Sequence, residues 1–156
     1  MNTLLRLHAS RFGKSSDGSL RLQLDVENTA SDTLHIFDSA RMPYLILQAD
    51  GSLLVLHGVH APDPDIDYPL IEIPLTQPLA PGAPWQASVP LSPLVLADHY
   101  AASRSGTVLA GPVTVHFQLA WGTTPILHAD HVRLSIAELL AWQNLAAAEP
   151  LTVDFD

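Results

Sequence analysis

Residues 20–27 read LRLQLDVE, and the period of this stretch decides the fold. Leu20, Leu22, Leu24 and Val26 fall on one side of an extended chain, and Arg21, Gln23, Asp25 and Glu27 fall on the other. Successive side chains of a strand point to opposite faces, so this alternation predicts a strand with one buried and one solvated face. Residues 113–121, VTVHFQLAW, repeat the pattern, with Val113, Val115, Phe117, Leu119 and Trp121 set against Thr114, His116 and Gln118.

Working outward, weaker strand signals lie near residues 3–12, 33–38, 43–49, 52–58, 70–76, 85–91 and 125–134. Asp17-Gly18 and Asp50-Gly51 sit between strand-like runs, where glycine supplies the positive φ of a tight hairpin turn. Pro81-Gly82 and Gly111-Pro112 mark further turns. The thirteen prolines belong in loops, edge strands and strand starts, because proline cannot donate to a central ladder. Short strands with regular punctuation predict a β-sandwich.

The pattern changes after Leu134. Ser135 with Glu138 three residues on is a capping box. Ile136, Leu139, Leu140, Trp142 and Leu145 recur at helical spacing, and Pro150 stops the run. One helix is predicted over about 136–148, packed on the sandwich or closing one of its ends, with a partner contact as the alternative. The tail, LTVDFD, alternates again and forms either a last edge strand or a strand offered to another chain's sheet. Trp142, Leu145, Val153 and Phe155 are therefore the candidate partner-binding residues.

Two stretches carry a family resemblance. DVENTASDTLHIFD (25–38) has a strand ending in an Asn-containing turn, followed by a short apolar pair, Leu34 and Ile36. PLAPGAPWQASVPL (78–91) runs from a proline-glycine turn into an alternating strand. Both are similar to segments of bacterial immunoglobulin-like sandwich modules, and the resemblance extends over residues 3–134. The paired cysteines of antibody-type domains are missing here. The resemblance implies a scaffold for binding or spacing, and the sandwich by itself carries no activity. The expected architecture is thus mainly β, an antiparallel immunoglobulin-like β-sandwich over 1–134 with one C-terminal α-helix and tail, 135–156, packed on the same domain.

Composition narrows the function. The chain has 156 residues, 47% of them hydrophobic, with seven basic and sixteen acidic residues and a net charge of −9. That length and apolar content suit one domain with its own core. Without a Lys/Arg cluster, the chain lacks the electrostatic footprint of nucleic-acid binding and of docking on an anionic membrane. There is no cysteine, which removes disulfides, thiolate metal sites and cysteine nucleophiles, and favours a reducing compartment. Arg6 and His8 interrupt the apolar N-terminal run, so no secretory leader is read and the expected location is cytoplasmic.

The stretch from His57, HGVHAPDPDIDYP, is rich in ligand-type residues. Asp63, Asp65 and Asp67 occupy the first three ligand positions of a calcium-binding EF-hand loop. Tyr68 then stands where that loop needs glycine, and Pro74 where it needs a bidentate glutamate. A divalent transition-metal site built from His57, His60 and one of these aspartates is the remaining metal reading. A second candidate is His128-Ala129-Asp130-His131, where a strand places His128 and Asp130 on one face. Both clusters also fit ordinary polar surface with histidines bonded to backbone.

Other features point less sharply. His8, His35, His99 and His116 are dispersed and predict only a loss of negative charge below about pH 6.5. The Pro-X-X-Pro spacings at Pro78, Pro81, Pro84, Pro90 and Pro93 read as turn and edge prolines. The connection LADHYAASRSG (96–106) offers Asp98, His99, Tyr100 and Arg104 as a loop surface. Sequence signatures of nucleophilic, nucleotide-binding and zinc-protease chemistry are absent. The favoured reading is a non-enzymatic cytoplasmic module for protein interaction or self-assembly. A metal- or small-ligand-binding sandwich using the His57–Asp67 loop ranks second, and a hydrolytic or metal-dependent enzyme third.

Overall fold

A computed structural model of the chain describes residues 4–14, 20–62, 64–65, 73–96 and 106–155, with backbone alone at 11, 12, 14, 131 and 132. In chain order the strands are β1 (Leu5–Lys14), β2 (Leu20–Asn28), β3 (Leu34–Asp38), β4 (Tyr44–Leu47), β5 (Leu53–His57), β6 (Leu75–Leu79), β7 (Pro84–Leu91), β8 (Leu94–Leu96), β9 (Gly106–Val108) and β10 (Pro112–Gly122). A 3₁₀ turn (His128–Val132) and helix α1 (Ile136–Trp142) follow, then β11 (Asn144–Ala147) and β12 (Leu151–Asp154). The fold is mainly β. No helix among the described residues is long and apolar enough to cross a membrane.

LRLQLDVE becomes β2, the middle strand of a three-stranded antiparallel sheet ordered β1-β2-β7. Leu20, Leu22, Leu24 and Val26 are all buried, as the alternation requires. VTVHFQLAW becomes β10, the middle of a seven-stranded sheet. Val115 pairs with Leu53 on one edge and Leu151 on the other, and Trp121 pairs with both Ile36 and Asn144. Each edge of β10 is therefore shared by two strands, β5 then β3 on one side and β12 then β11 on the other.

The β5–β10 pair is parallel, while every other pair among the described residues is antiparallel. A parallel neighbour needs a long crossover, and the chain from Gly58 to Gly111 supplies one, building β6 to β9 on the way. The Asp50-Gly51 hairpin joins β4 to β5 as expected. Gly51 sits at φ +87°, and Asp50 accepts the Ser52 N–H at 2.9 Å. Asp17-Gly18 lies outside the described residues.

The two sheets face each other over one core. Leu5, Leu22 and Leu24 come from the first sheet, and Leu53, Val55, Val115, Phe117 and Leu119 from the second. Alternate residues of the second sheet face outward and meet a separate cluster, in which Phe37 and Ala120 pack with Val59, Ile126 and Leu139. Helix α1 thus covers the outer side of the second sheet, making a third layer. Its Trp142 lies directly over Gly122, where an added Cβ would lie 2.1 Å from the indole ring. Only a glycine admits the indole there.

Two predicted elements are corrected. The helix ends at Trp142 rather than near 148, because Gln143 turns extended (ψ 138°) and residues 144–147 pair with Gln118–Trp121 as β11. The backbone edge of β10 offers ladder partners that a longer helix would have left unpaired. Ser135 does cap the helix, its side chain accepting the Glu138 N–H. The strand predicted over 125–134 is absent; His128–Val132 forms the 3₁₀ turn instead.

Candidate functional site

The His57–Asp67 stretch divides at the end of β5. His57 pairs with Leu119, so the alternation of β5 turns it inward with Leu53 and Val55. It is 5% exposed, and its ring lies 5.1 Å from that of Trp85 on the facing sheet. Its Nε2 sits 2.8 Å from the carbonyl oxygen of Phe37. A carbonyl only accepts, so Nε2 carries the proton in the neutral ring. Burial lowers the His57 pKa from its ordinary value, against the opposing pull of the Phe37 carbonyl and the Asp38 charge.

His57 therefore belongs to the core and faces away from the loop. It sits where the edge of β10 passes from β5 to β3. His60 and Asp65 are exposed, and Asp63 and Asp67 lie outside the described residues. Asp130 spends its carboxylate on the 3₁₀ turn, accepting the Leu127 N–H at 2.8 Å, with Arg133 3.9 Å away. His128 is exposed on that turn, and not on the strand face that was to pair it with Asp130. Among the described residues, no three His, Asp or Glu side chains form a group able to hold a metal ion.

The residues predicted to meet a partner are mostly spent internally. Val153 is fully buried and Phe155 8% exposed, because β12 pairs with Pro112–Val115 of its own sheet. Trp142 packs against Phe37 with the rings tilted by 49° and their centroids 5.1 Å apart, and donates its indole N–H to the Thr124 carbonyl at 2.9 Å. Leu145, on β11, is 51% exposed.

No family model matches this chain. No curated protein or solved structure does either.

Three features emerge only from the folded chain. The first is Asn28, fully buried at the end of β2. Its Nδ2 donates to the carbonyls of Leu79 at 2.8 Å and Asp32 at 2.9 Å, and its Oδ1 accepts the Ala30 N–H. Its backbone carbonyl accepts the Gly82 N–H. One residue thus ties the 25–38 stretch to the 78–91 stretch.

The second feature is the outer face of the first sheet. There Arg6, His8, Asp25, Glu27 and Gln86 border an open groove, with Arg6 3.6 Å from Glu27. It presents charges of both signs. The third is the β8–β9 hairpin, which the sequence patterning missed because each strand has only three residues. Val95 turns inward and is buried, while Leu94 and its partner Val108, with Leu96 beside them, are 48%, 71% and 46% exposed. Residues 97–105, with Asp98, His99, Tyr100 and Arg104, lie outside the described residues.

Proposed function

We propose that this protein is a cytoplasmic, immunoglobulin-like interaction module that contacts another protein chain, a second copy included, through the apolar face of the β8–β9 hairpin. The exposure of Leu94, Leu96 and Val108 together carries the reading. Single exposed apolar residues are ordinary, but a contiguous apolar face on a hairpin favours burial against a partner. The immunoglobulin-like assignment is supported by the two facing sheets and by Asn28, which joins the two segments that resemble such modules. The cysteine-free composition supports a reducing compartment.

Sedimentation velocity over a range of concentrations tests the reading, with wild type beside a Leu94→Asp/Val108→Asp variant. Wild type is expected to associate or to retain a co-purifying chain. The variant is expected to lose that association while melting at the same temperature. A wild type that sediments as the same lone monomer at every concentration overturns the proposal.

A further inference from the structure

The β8–β9 hairpin stands apart from both larger sheets as a sheet of two strands, three residues each. A lone two-stranded sheet is marginally stable in water, and packing or further strands make up the deficit. One face is packed, with Val95 buried in the main core. The other face carries the exposed Leu94, Leu96 and Val108. Among the described residues β9 pairs with β8 alone, and all three of its residues are exposed. It holds neither proline nor charge, the usual devices that keep a strand edge from pairing. The Leu109 N–H donates to the Pro93 carbonyl at 2.7 Å, so these two residues turn their main-chain groups toward each other. Antiparallel alternation then bonds Val95 to Thr107 and turns the N–H and C=O groups of Gly106 and Val108 away from β8.

We propose that a second copy of this chain continues this sheet, β9 pairing antiparallel with β9 about a two-fold axis at Thr107 to give four strands. The inference rests on the hairpin as the contact surface and specifies both the partner and the mode of contact. With Thr107 on the axis, Gly106 of each copy exchanges hydrogen bonds with Val108 of the other, so the outward main-chain groups of both strands are used. The same pairing sets a large side chain beside an absent one, Val108 of one copy against Gly106 of the other. A Cβ at Gly106 would lie 2.6 Å from the Val95 carbonyl oxygen and 3.1 Å from Leu94 Cδ1. Leu94 thus already leans toward the glycine, where it would meet Val108 of the second copy. β8 and β9 carry no charged residue. Two chains of net charge −9 therefore meet here without like charges on neighbouring strands. An unrelated strand would satisfy the edge donors, whereas the reciprocal valine–glycine fit is a property of a second copy.

The chain has no cysteine, so Thr107→Cys supplies a single thiol. The two-fold pairing sets it against its own copy in a non-hydrogen-bonded pair, where side chains lie closest. The full chain carrying Thr107→Cys is oxidised beside Ser88→Cys, an exposed position on β7 that reports random collision. Wild type and Leu94→Asp/Val108→Asp are sedimented alongside. Wild type is expected to dimerise as concentration rises, and Thr107→Cys to form disulfide-linked dimers severalfold faster than Ser88→Cys. Adding Val108→Asp to Thr107→Cys is expected to bring that rate down to the Ser88→Cys rate. Equal crosslinking at 107 and 88 overturns the edge pairing. The hairpin stays the contact surface in that case if Leu94→Asp/Val108→Asp has lost the association of wild type. Wild type that retains a different chain and does not pair with itself overturns the second copy as partner and leaves the hairpin reading standing. A lone monomer at every concentration overturns both.

Discussion

Gln143 holds the backbone of Val59 at both of its polar groups. Its Nε2 donates to the Val59 carbonyl at 2.8 Å, and its Oε1 accepts the Val59 N–H at 2.9 Å. Val59 is buried just past the end of β5, where no strand among the described residues pairs with it. The side-chain amide stands in for the missing ladder partner, and this contact coincides with the residue where α1 stops. Buried backbone groups left without partners are costly.

Gln143→Ala should therefore destabilise the fold by about 1–3 kcal/mol. Gln143→Glu should cost more at neutral pH, because a carboxylate then faces the Val59 carbonyl. Urea melts of the three proteins check both statements. Equal stability of Gln143→Glu and wild type would show that the amide pair contributes nothing.

Asn28 is expected to be the more sensitive position. Asn28→Ala removes the donors to Leu79 and Asp32 and the acceptor for Ala30 inside a buried site. A loss of about 2–4 kcal/mol is expected, since each stranded buried group costs about 1–3 kcal/mol. A stability within experimental error of wild type would contradict the role given to this residue.

Gly122→Ala tests the third layer. The added methyl would overlap the Trp142 indole, so the ring must leave Phe37 or lose its bond to Thr124. Overpacking of this kind costs about 1–3 kcal/mol. Tryptophan fluorescence should shift along with the denaturation midpoint, and an unchanged spectrum would place the indole elsewhere.

His57 makes stability depend on pH with a definite sign. Its folded pKa lies below its ordinary value because burial disfavours the imidazolium. The unfolded chain therefore takes up the proton first as pH falls. The His57 contribution is fully present above the unfolded pKa, near 6.5, and is lost as pH drops toward the folded value, by at most about 1.4 kcal/mol per pH unit. His57→Gln keeps a donor for Phe37 without the titration. Between about pH 7.5 and about pH 5, wild type should lose more stability than this variant. Parallel curves would remove His57 from the account.

Much of the strand content was legible because period two is a local property. LRLQLDVE and VTVHFQLAW became the middle strands of the two sheets, and the capping box at Ser135 and Glu138 did start a helix. The same rule, carried through LLVLH, already turned His57 inward with Leu53 and Val55. Ligand chemistry, read residue by residue, instead grouped it at the strand end with His60 in the loop as a candidate metal ligand. The β8–β9 hairpin stayed hidden because three residues are too few to establish a period. HADH formed a 3₁₀ turn because Asp130 is used to cap it.

The amino-acid sequence by itself determined which residues alternate, where glycine and proline break the chain, and that the product is mainly β. These follow from interactions between near neighbours. Tertiary structure decided that β5 runs parallel to β10, that the helix stops at Trp142 so β11 can pair, and that Asn28 and Gln143 bind backbone 51 and 84 residues away in the chain. Each of these outcomes depends on which distant backbone groups still need a hydrogen-bond partner once the sheets have packed, and no local pattern carries that information.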